Sequence, residues 1–360
     1  MKKVAFIISL VFISIIGHSQ SCLPNGITFT TQEQIDNFPT DYPNCNQIEG
    51  PITIGNYPDG TTITNLDGLN NITQIDGGLN IYFNLNLSSL SGLSNLTHIG
   101  GNVSIFYNPE LFSLEGLNNL NVVEGDLKLG EYELTVGNDN FQDLSGLNGL
   151  TQVEGNLILF KNQNVSTLTG LENLISIGQN LEIHNHQNLV NLNGLQNLSS
   201  ISGTIIINSN NILNDISGIK NINVDSINNL TIFDNQQLSN CHVKSICDYI
   251  AIPDASFDIL NNNTGCDNSE QVEENCETIG IIEHNNLISI QPNPAKDFVQ
   301  FHFEQENEII IRIYNTKGEF IEELEGNTEL IWNCKSFSSG LYFYTANSKH
   351  QSYSGKVIIQ

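Results

Sequence analysis

The chain is poor in positive charge. Lys and Arg together number 12 against 39 Asp and Glu, a formal net charge of −27, and Arg312 is the single arginine. A phosphate backbone demands clustered Lys and Arg, so a nucleic-acid partner is excluded. An anionic membrane surface is excluded on the same ground. One arginine also removes most chemistry built on guanidinium clamps. Charge of either sign is scarce, since 14% of residues are charged and 39% are hydrophobic. The remaining polarity is largely Asn, Gly, Ser and Thr. That is the composition of a turn-rich β protein rather than of a helical or disordered one.

Long apolar runs are also missing, with one exception. Lys2 and Lys3 precede an apolar stretch from Val4 to Ile16, which ends in Gly17-His18-Ser19-Gln20. This reads as a secretory signal peptide over residues 1–19, cleaved after Ser19. The stretch falls short of the roughly 20 residues that a bilayer span requires. Export permits disulfides among the 7 cysteines. Cys22 and Cys45 form the natural N-terminal pair. Cys241, Cys247, Cys266 and Cys276 allow three pairings, and spacing does not choose among them. Cys334 is left over, as a buried thiol. The short Cys-x2–4-Cys spacing of a zinc site is absent, so no metal is assigned to these residues.

The middle of the chain is a repeat. A Gly followed by Leu or Ile recurs at Gly68, Gly92, Gly116, Gly146, Gly170, Gly194 and Gly218, at intervals of 24, 24, 30, 24, 24 and 24. The single 30 is a six-residue insertion, placed at Gly130 to Gly137. Apolar columns keep step, such as Leu66, Leu90, Leu114, Leu144, Leu168, Leu192 and Ile216. A pair with strand alternation does the same: Leu79/Ile81, Val103/Ile105, Leu127/Leu129, Leu157/Leu159, Leu181/Ile183, Ile205/Ile207 and Leu230/Ile232. No unit this short can bury its own apolar face, but stacked units share a continuous core. The expected fold is mainly β: a right-handed parallel β-helix-like solenoid of about 24-residue coils, with disulfide-tied caps and a small C-terminal β-sandwich. The Gly of each Gly-Leu step is expected in a left-handed turn. Asn84, Asn108, Asn162, Asn210 and Asn235 follow the strand pairs at a fixed distance, and His186 takes that place in one coil. Such a column points inward and satisfies backbone groups, so His186 reads as structural rather than as a catalytic base. The coil with the insertion lacks this Asn.

The stretch Ile99-Gly100-Gly101-Asn102-Val103-Ser104-Ile105, with Asn108, Leu111, Leu114, Gly116-Leu117 and Leu120, resembles the receptor L domain, repeated over residues 48–240. The resemblance is to the bacterial secreted versions of that leucine-rich module. An N-terminal cap is expected over 20–47, where Thr31-Gln32-Glu33-Gln34 reads as a capping box opening a helix with Ile35 and Phe38 on one face. A cysteine-rich cap is expected over 241–276, where Val243, Ile246, Tyr249 and Ile250 have amphipathic-helix spacing.

After a linker at 277–286 the period is gone. Short alternating segments separated by turn signals predict a small sandwich over 287–360. Pro292-Asn293-Pro294, Ile313-Tyr314-Asn315 with Gly318, Gly340-Leu341-Tyr342-Phe343 and Lys356-Val357-Ile358-Ile359 resemble the type A C-terminal sorting domain of the type IX secretion system. The resemblance implies Pro292, Asn293, Pro294, Gly318, Gly340, Tyr342 and Lys356 as sorting-motif residues. It also implies outer-membrane secretion machinery as a partner, and a secreted or outer-membrane cell-surface location.

Catalytic residues are not expected. The cations between residues 21 and 280 are Lys128, Lys161, Lys220 and Lys244, and they do not converge in the repeat frame. In the strand columns Glu182 and Asp234 stand alone, whereas a glycosidase needs two facing carboxylates. No serine sits in a nucleophile elbow, and no Gly-rich phosphate loop is present. Asn138-Asp139-Asn140 with Asp143 could hold Ca²⁺, although Asn/Asp runs chiefly mark turns. The ligand surface expected instead is an outward aromatic stripe at the strand ends: Tyr82, Phe106, Phe160, His184 and Phe233. Packing beneath a loop or the insert is the competing reading of that stripe. Together these features predict an exported, non-catalytic binding or adhesion protein with no cofactor and an unknown glycan or protein ligand. A polysaccharide-cleaving enzyme and a structural surface component are the alternatives.

Overall fold

A computed structural model describes residues 20–279, 288–303, 309–347 and 352–360. The signal-peptide reading lies outside these residues, as does most of the expected linker. The chain divides into two compact units between Glu273 and Glu274.

In the first unit the repeats build two parallel sheets. Each repeat gives one short strand to a sheet of eight and one longer strand to a sheet of ten, in chain order. The longer strands include Leu79–Tyr82, Val103–Phe106, Leu127–Leu129, Leu157–Phe160, Leu181–His184, Thr204–Asn208 and Asn229–Phe233. Their register follows the sequence columns: Leu79 pairs with Val103, Val103 with Leu127, Leu127 with Leu157 and Leu157 with Leu181. Strand alternation turns each pair of column residues inward, where both are essentially fully buried. The short strands add Ile75, Ile99, Val123, Val153, Ile177 and Ile201 to the same core.

The Gly column has a different cause from the one expected. Gly116, Gly146, Gly170 and Gly194 have positive φ, but Gly68, Gly92 and Gly218 lie in short 3-10 turns without it. What unites all seven is space. A Cβ on any of them would sit within 2.1 Å of a backbone carbonyl oxygen of the preceding turn, that of Ile35 for Gly68 and of Leu66 for Gly92. Glycine is required here because backbone meets backbone.

The ends are closed by helices and disulfides. Helix α1 (Gln32–Asp41) opens with the capping box at Thr31 and Gln34, and buries Ile35 and Phe38. Cys22 is bonded to Cys45 beside it. At the other end, helix α2 (Lys244–Ile250) buries Ile246 and Tyr249. Helix α3 (Ser269–Ile279) follows. Cys241 pairs with Cys266, and Cys247 and Cys276 are also disulfide-bonded. A bridge closing a loop of this length contributes about 3 kcal/mol.

The second unit contains an antiparallel three-stranded sheet (Ile288–Gln291, Phe298–Phe303, Glu329–Asn333). An antiparallel four-stranded sheet (Phe320–Gly326, Ile309–Asn315, Gly340–Asn347, Ser352–Ile359) accompanies it. Trp332, Phe301, Ile311, Ile313, Val357 and Cys334 are in its core.

Candidate functional site

The longer strands all end in the same corner. The residue after seven of these strands adopts a left-handed φ of 51 to 59°: Phe83, Tyr107, Lys161, Asn185, Ser209, Asp234 and Asn261, while Gly130, after Leu127–Leu129, has φ 106°. Bulky side chains seldom take this conformation, and it persists only where neighbours impose it. The neighbour is the buried Asn column, which begins with the next residue. Asn108 Nδ2 donates to the carbonyls of Ile81 and Phe106 at 2.9 and 3.0 Å, and its Oδ1 accepts from the Asn84 backbone and side chain. Asn138 continues the ladder, so the repeat with the insertion is not lacking its Asn. The six extra residues precede it, and its Nδ2 bonds Ile105 O at 2.8 Å. Asn210, Asn235 and Asn262 extend the ladder into the C-terminal cap. His186 interrupts it. The ring is essentially fully buried, Nδ1 has no hydrogen-bond partner among the described residues, and burial holds the imidazole pKa down at about 4.

Two further ladders were not foreseen. Asn95, Asn119, Asn173, Asn197 and Asn221 each donate at 2.7 Å to a carbonyl of the preceding repeat. Asn102, Asp126, Asn156 and Asn180 accept backbone N–H groups of the following one at 2.7 to 3.0 Å. Both columns are visible in the sequence at the repeat interval, as Asn three residues after the Gly of Gly-Leu or Gly-Ile and as Asn or Asp directly before the strand pair.

The expected aromatic stripe is not an open surface. Phe106, Phe160 and His184 are 8%, 5% and 8% exposed, and Tyr82 and Phe233 are half-buried. Two things cover them. Tyr82 stacks on Phe106 at 5.2 Å, and Phe83 turns back against it edge-on at 6.0 Å. Farther along, the insertion folds over the sheet and lays Tyr132 on Phe160 at 4.4 Å and against His184 at 5.1 Å. Tyr132 donates to Glu182 Oε2 at 2.9 Å, Asn180 Nδ2 donates to Oε1 at 3.2 Å, and His184 Nε2 lies 3.3 Å from Oε2. Lys128 clamps Glu131 in the same insertion at 2.8 Å. Glu182 therefore does not stand alone. The His184 hydrogen bond, above all, holds its carboxyl below the usual carboxylate range. Burial first, then the Glu182 charge, pushes the Tyr132 phenol far above its ordinary range. Both oxygens of Glu182 accept hydrogen bonds, and Oε2 fastens the insertion through Tyr132.

An exposed aromatic cluster lies at the corner instead. Tyr57 is 56% exposed and meets Phe83 at 5.0 Å. Tyr107, 39% exposed, meets the other side of Phe83 at 4.4 Å, and Leu85 is 41% exposed nearby. Past the insertion the corner becomes a polar groove of about 290 Å³.

Three of the four residues in the Ca²⁺ reading already have partners within the chain. Asn138 is spent in the ladder, Asn140 donates to Pro109 O, and Asp143 accepts from Ser145 N at 2.8 Å. Among the described residues no three His, Cys, Asp or Glu side chains are grouped to hold a metal ion.

In the second unit the Pro-Asn-Pro segment is tied to the last strand. Asn293 Oδ1 accepts from Ile358 N at 2.9 Å, and Nδ2 donates to Lys356 O at 3.3 Å. Tyr342 is buried against Trp332 and donates to Ser338 O at 2.9 Å. Gly318, at φ +77°, closes a turn onto Asn315, and Gly340 has φ +155° with open space around it.

Comparison with known families agrees with this division. Residues 44–104 match the model of the Receptor L domain, and residues 289–360 match that of the Secretion system C-terminal sorting domain. No curated protein matches the chain. The sorting domain implies interaction with the type IX secretion machinery. The chain thus carries a receptor L domain segment and a type IX sorting domain, the second of which marks it for export to the cell surface or the medium.

Proposed function

We propose that this is an exported, non-catalytic binding or adhesion protein whose repeat unit is a rigid ligand platform. Its parallel strands are joined by crossover connections, which are right-handed almost without exception, so we take the unit as a right-handed solenoid of about 24 residues per coil. The observation that carries the reading is the cluster of Tyr57, Leu85 and Tyr107, held open to solvent around Phe83. Large amphipathic rings on a stiff backbone give contact area at little entropic cost. The Glu182 network supports the non-catalytic reading, because both carboxylate oxygens already accept hydrogen bonds from neighbouring side chains.

The test is an array of glycans and matrix proteins probed with the chain from Gln20 to Gln360. The wild type is expected to bind, and Tyr57→Ser combined with Tyr107→Ser to weaken binding about tenfold. Absence of binding across the array, or release of reducing ends from a bound polysaccharide, overturns the proposal in favour of a structural or an enzymatic role.

A further inference from the structure

We propose that the groove beside the insertion is a binding site for a neutral glycan chain lying along the stack of repeats. This rests on the binding role above and assigns it a ligand class and a place. The groove is formed by two columns of the corner. Lys161, Asn185 and Ser209 are the left-handed residues of three successive repeats, and Gln163, Gln187 and Asn211 each stand two positions later. Thr135 of the insertion closes one wall, with Lys161 Nζ donating to its carbonyl at 2.6 Å. Phe160, nearly buried beneath Tyr132, also lines it.

The chemistry of the lining selects the ligand. The backbone N–H groups of the left-handed column are already spent. Lys161, Asn185 and Ser209 donate their N–H groups to His184, Asn208 and Phe233 of the next repeat at 3.0 to 3.1 Å. A peptide adding as a strand therefore finds no free edge. What remains is side-chain amide and hydroxyl, which both donate and accept, as sugar hydroxyls do. Gln163 Nε2 is used by Asn185 O at 3.3 Å, while its Oε1 is buried with no hydrogen-bond partner among the described residues. That oxygen is out of solvent reach, so the ligand-facing amides are those of the exposed Gln187 and Asn211. One ammonium in a chain of net charge −27 disfavours phosphate and polyanionic chains. Successive repeats stand about 4.8 Å apart, so the amide columns present a regular ladder to a linear polymer of similar repeat length.

The experiment is affinity electrophoresis of the full chain through gels containing a soluble β-glucan, a xylan, an α-glucan or a polygalacturonate. At least one neutral polysaccharide is expected to retard the wild type, with retardation unchanged by 0.5 M salt, an assay condition of about this strength. Gln187→Ala with Asn211→Ala, both exposed positions, is expected to weaken binding about tenfold. Unchanged melting of this variant shows that the fold is intact. Retardation only by polygalacturonate and lost in salt, or no retardation by any polysaccharide, overturns the proposal. So does retardation unaffected by the amide variant. In that last case, loss through Tyr57→Ser and Tyr107→Ser leaves the general binding role standing and removes only the groove.

Discussion

At the scale of single residues, the repeat is held by positions that tolerate nothing else. The Gly column shows how such a position is misread. A Gly before Leu suggests a left-handed turn, yet Gly92 has no positive φ, and the carbonyl of Leu66 is what forbids a side chain there. The two causes predict different outcomes. If conformation were the reason, Gly92→Ala would be mild. With the carbonyl as the reason, it forces adjacent turns apart and costs at least about 3 kcal/mol. Gly318→Ala is the contrast, because φ is +77° but nothing stands within 4 Å of a new Cβ. It is expected to cost about 1 kcal/mol, the left-handed penalty alone. Denaturant melts of the two variants decide, and a mild Gly92→Ala rejects the close-approach account.

At the scale of elements, the stacked strands were legible and their outer covering was not. Leu79/Ile81 and the pairs after it recur at the repeat interval because every turn meets the same core. The inward or outward choice follows from strand alternation alone. The fate of Phe160 and His184 depends on something no periodicity records. The six-residue insertion leaves the period, and only its tertiary course brings Tyr132 onto them. For the same reason the insertion masked Asn138, which is in step once the extra residues are removed. The polar groove was hidden in the sequence too, since its residues share a corner rather than a motif. The insertion is thus laid on the strand stack chiefly through Tyr132. Tyr132→Phe deletes the hydrogen bond to an ionised Glu182 and is expected to cost about 1 to 2 kcal/mol. Tyr132→Ala, which also uncovers Phe160, is expected to cost more. Hydrogen exchange should accelerate in residues 130–137 of the alanine variant before any change in Leu157–Phe160. Simultaneous acceleration in both would mean that the insertion is part of the strand stack rather than laid upon it.

At the scale of the whole molecule, two cores in one chain invite separate responses to acid. His184 and His186 are the buried histidines among the described residues, and both lie in the repeat unit. His186 titrates at about 4 when folded, against an ordinary value of 6.5. Its folded pKa is the lower one, so the unfolded chain binds the extra proton between these limits, and stability rises with pH across that window. The contribution is complete above pH 6.5, on the order of 3 kcal/mol, and is lost as pH falls towards 4. His186→Asn replaces a ring with an orphaned nitrogen by the ladder's own residue. It is expected to stabilise the repeat unit and to remove this part of its acid sensitivity. The sorting unit supplies its own reporter, for Cys334 is a buried free thiol whose pKa burial pushes up. A dithiodipyridine reagent reaches it only when that unit opens. Acidification from pH 6.5 to 4 should therefore lower the melting of the repeat unit in the wild type more than in His186→Asn. Cys334 labelling should be the same in both proteins at each pH. Labelling that follows the His186 substitution would show that opening of the repeat unit exposes the second core, and the two units would then have to be treated as one folding unit.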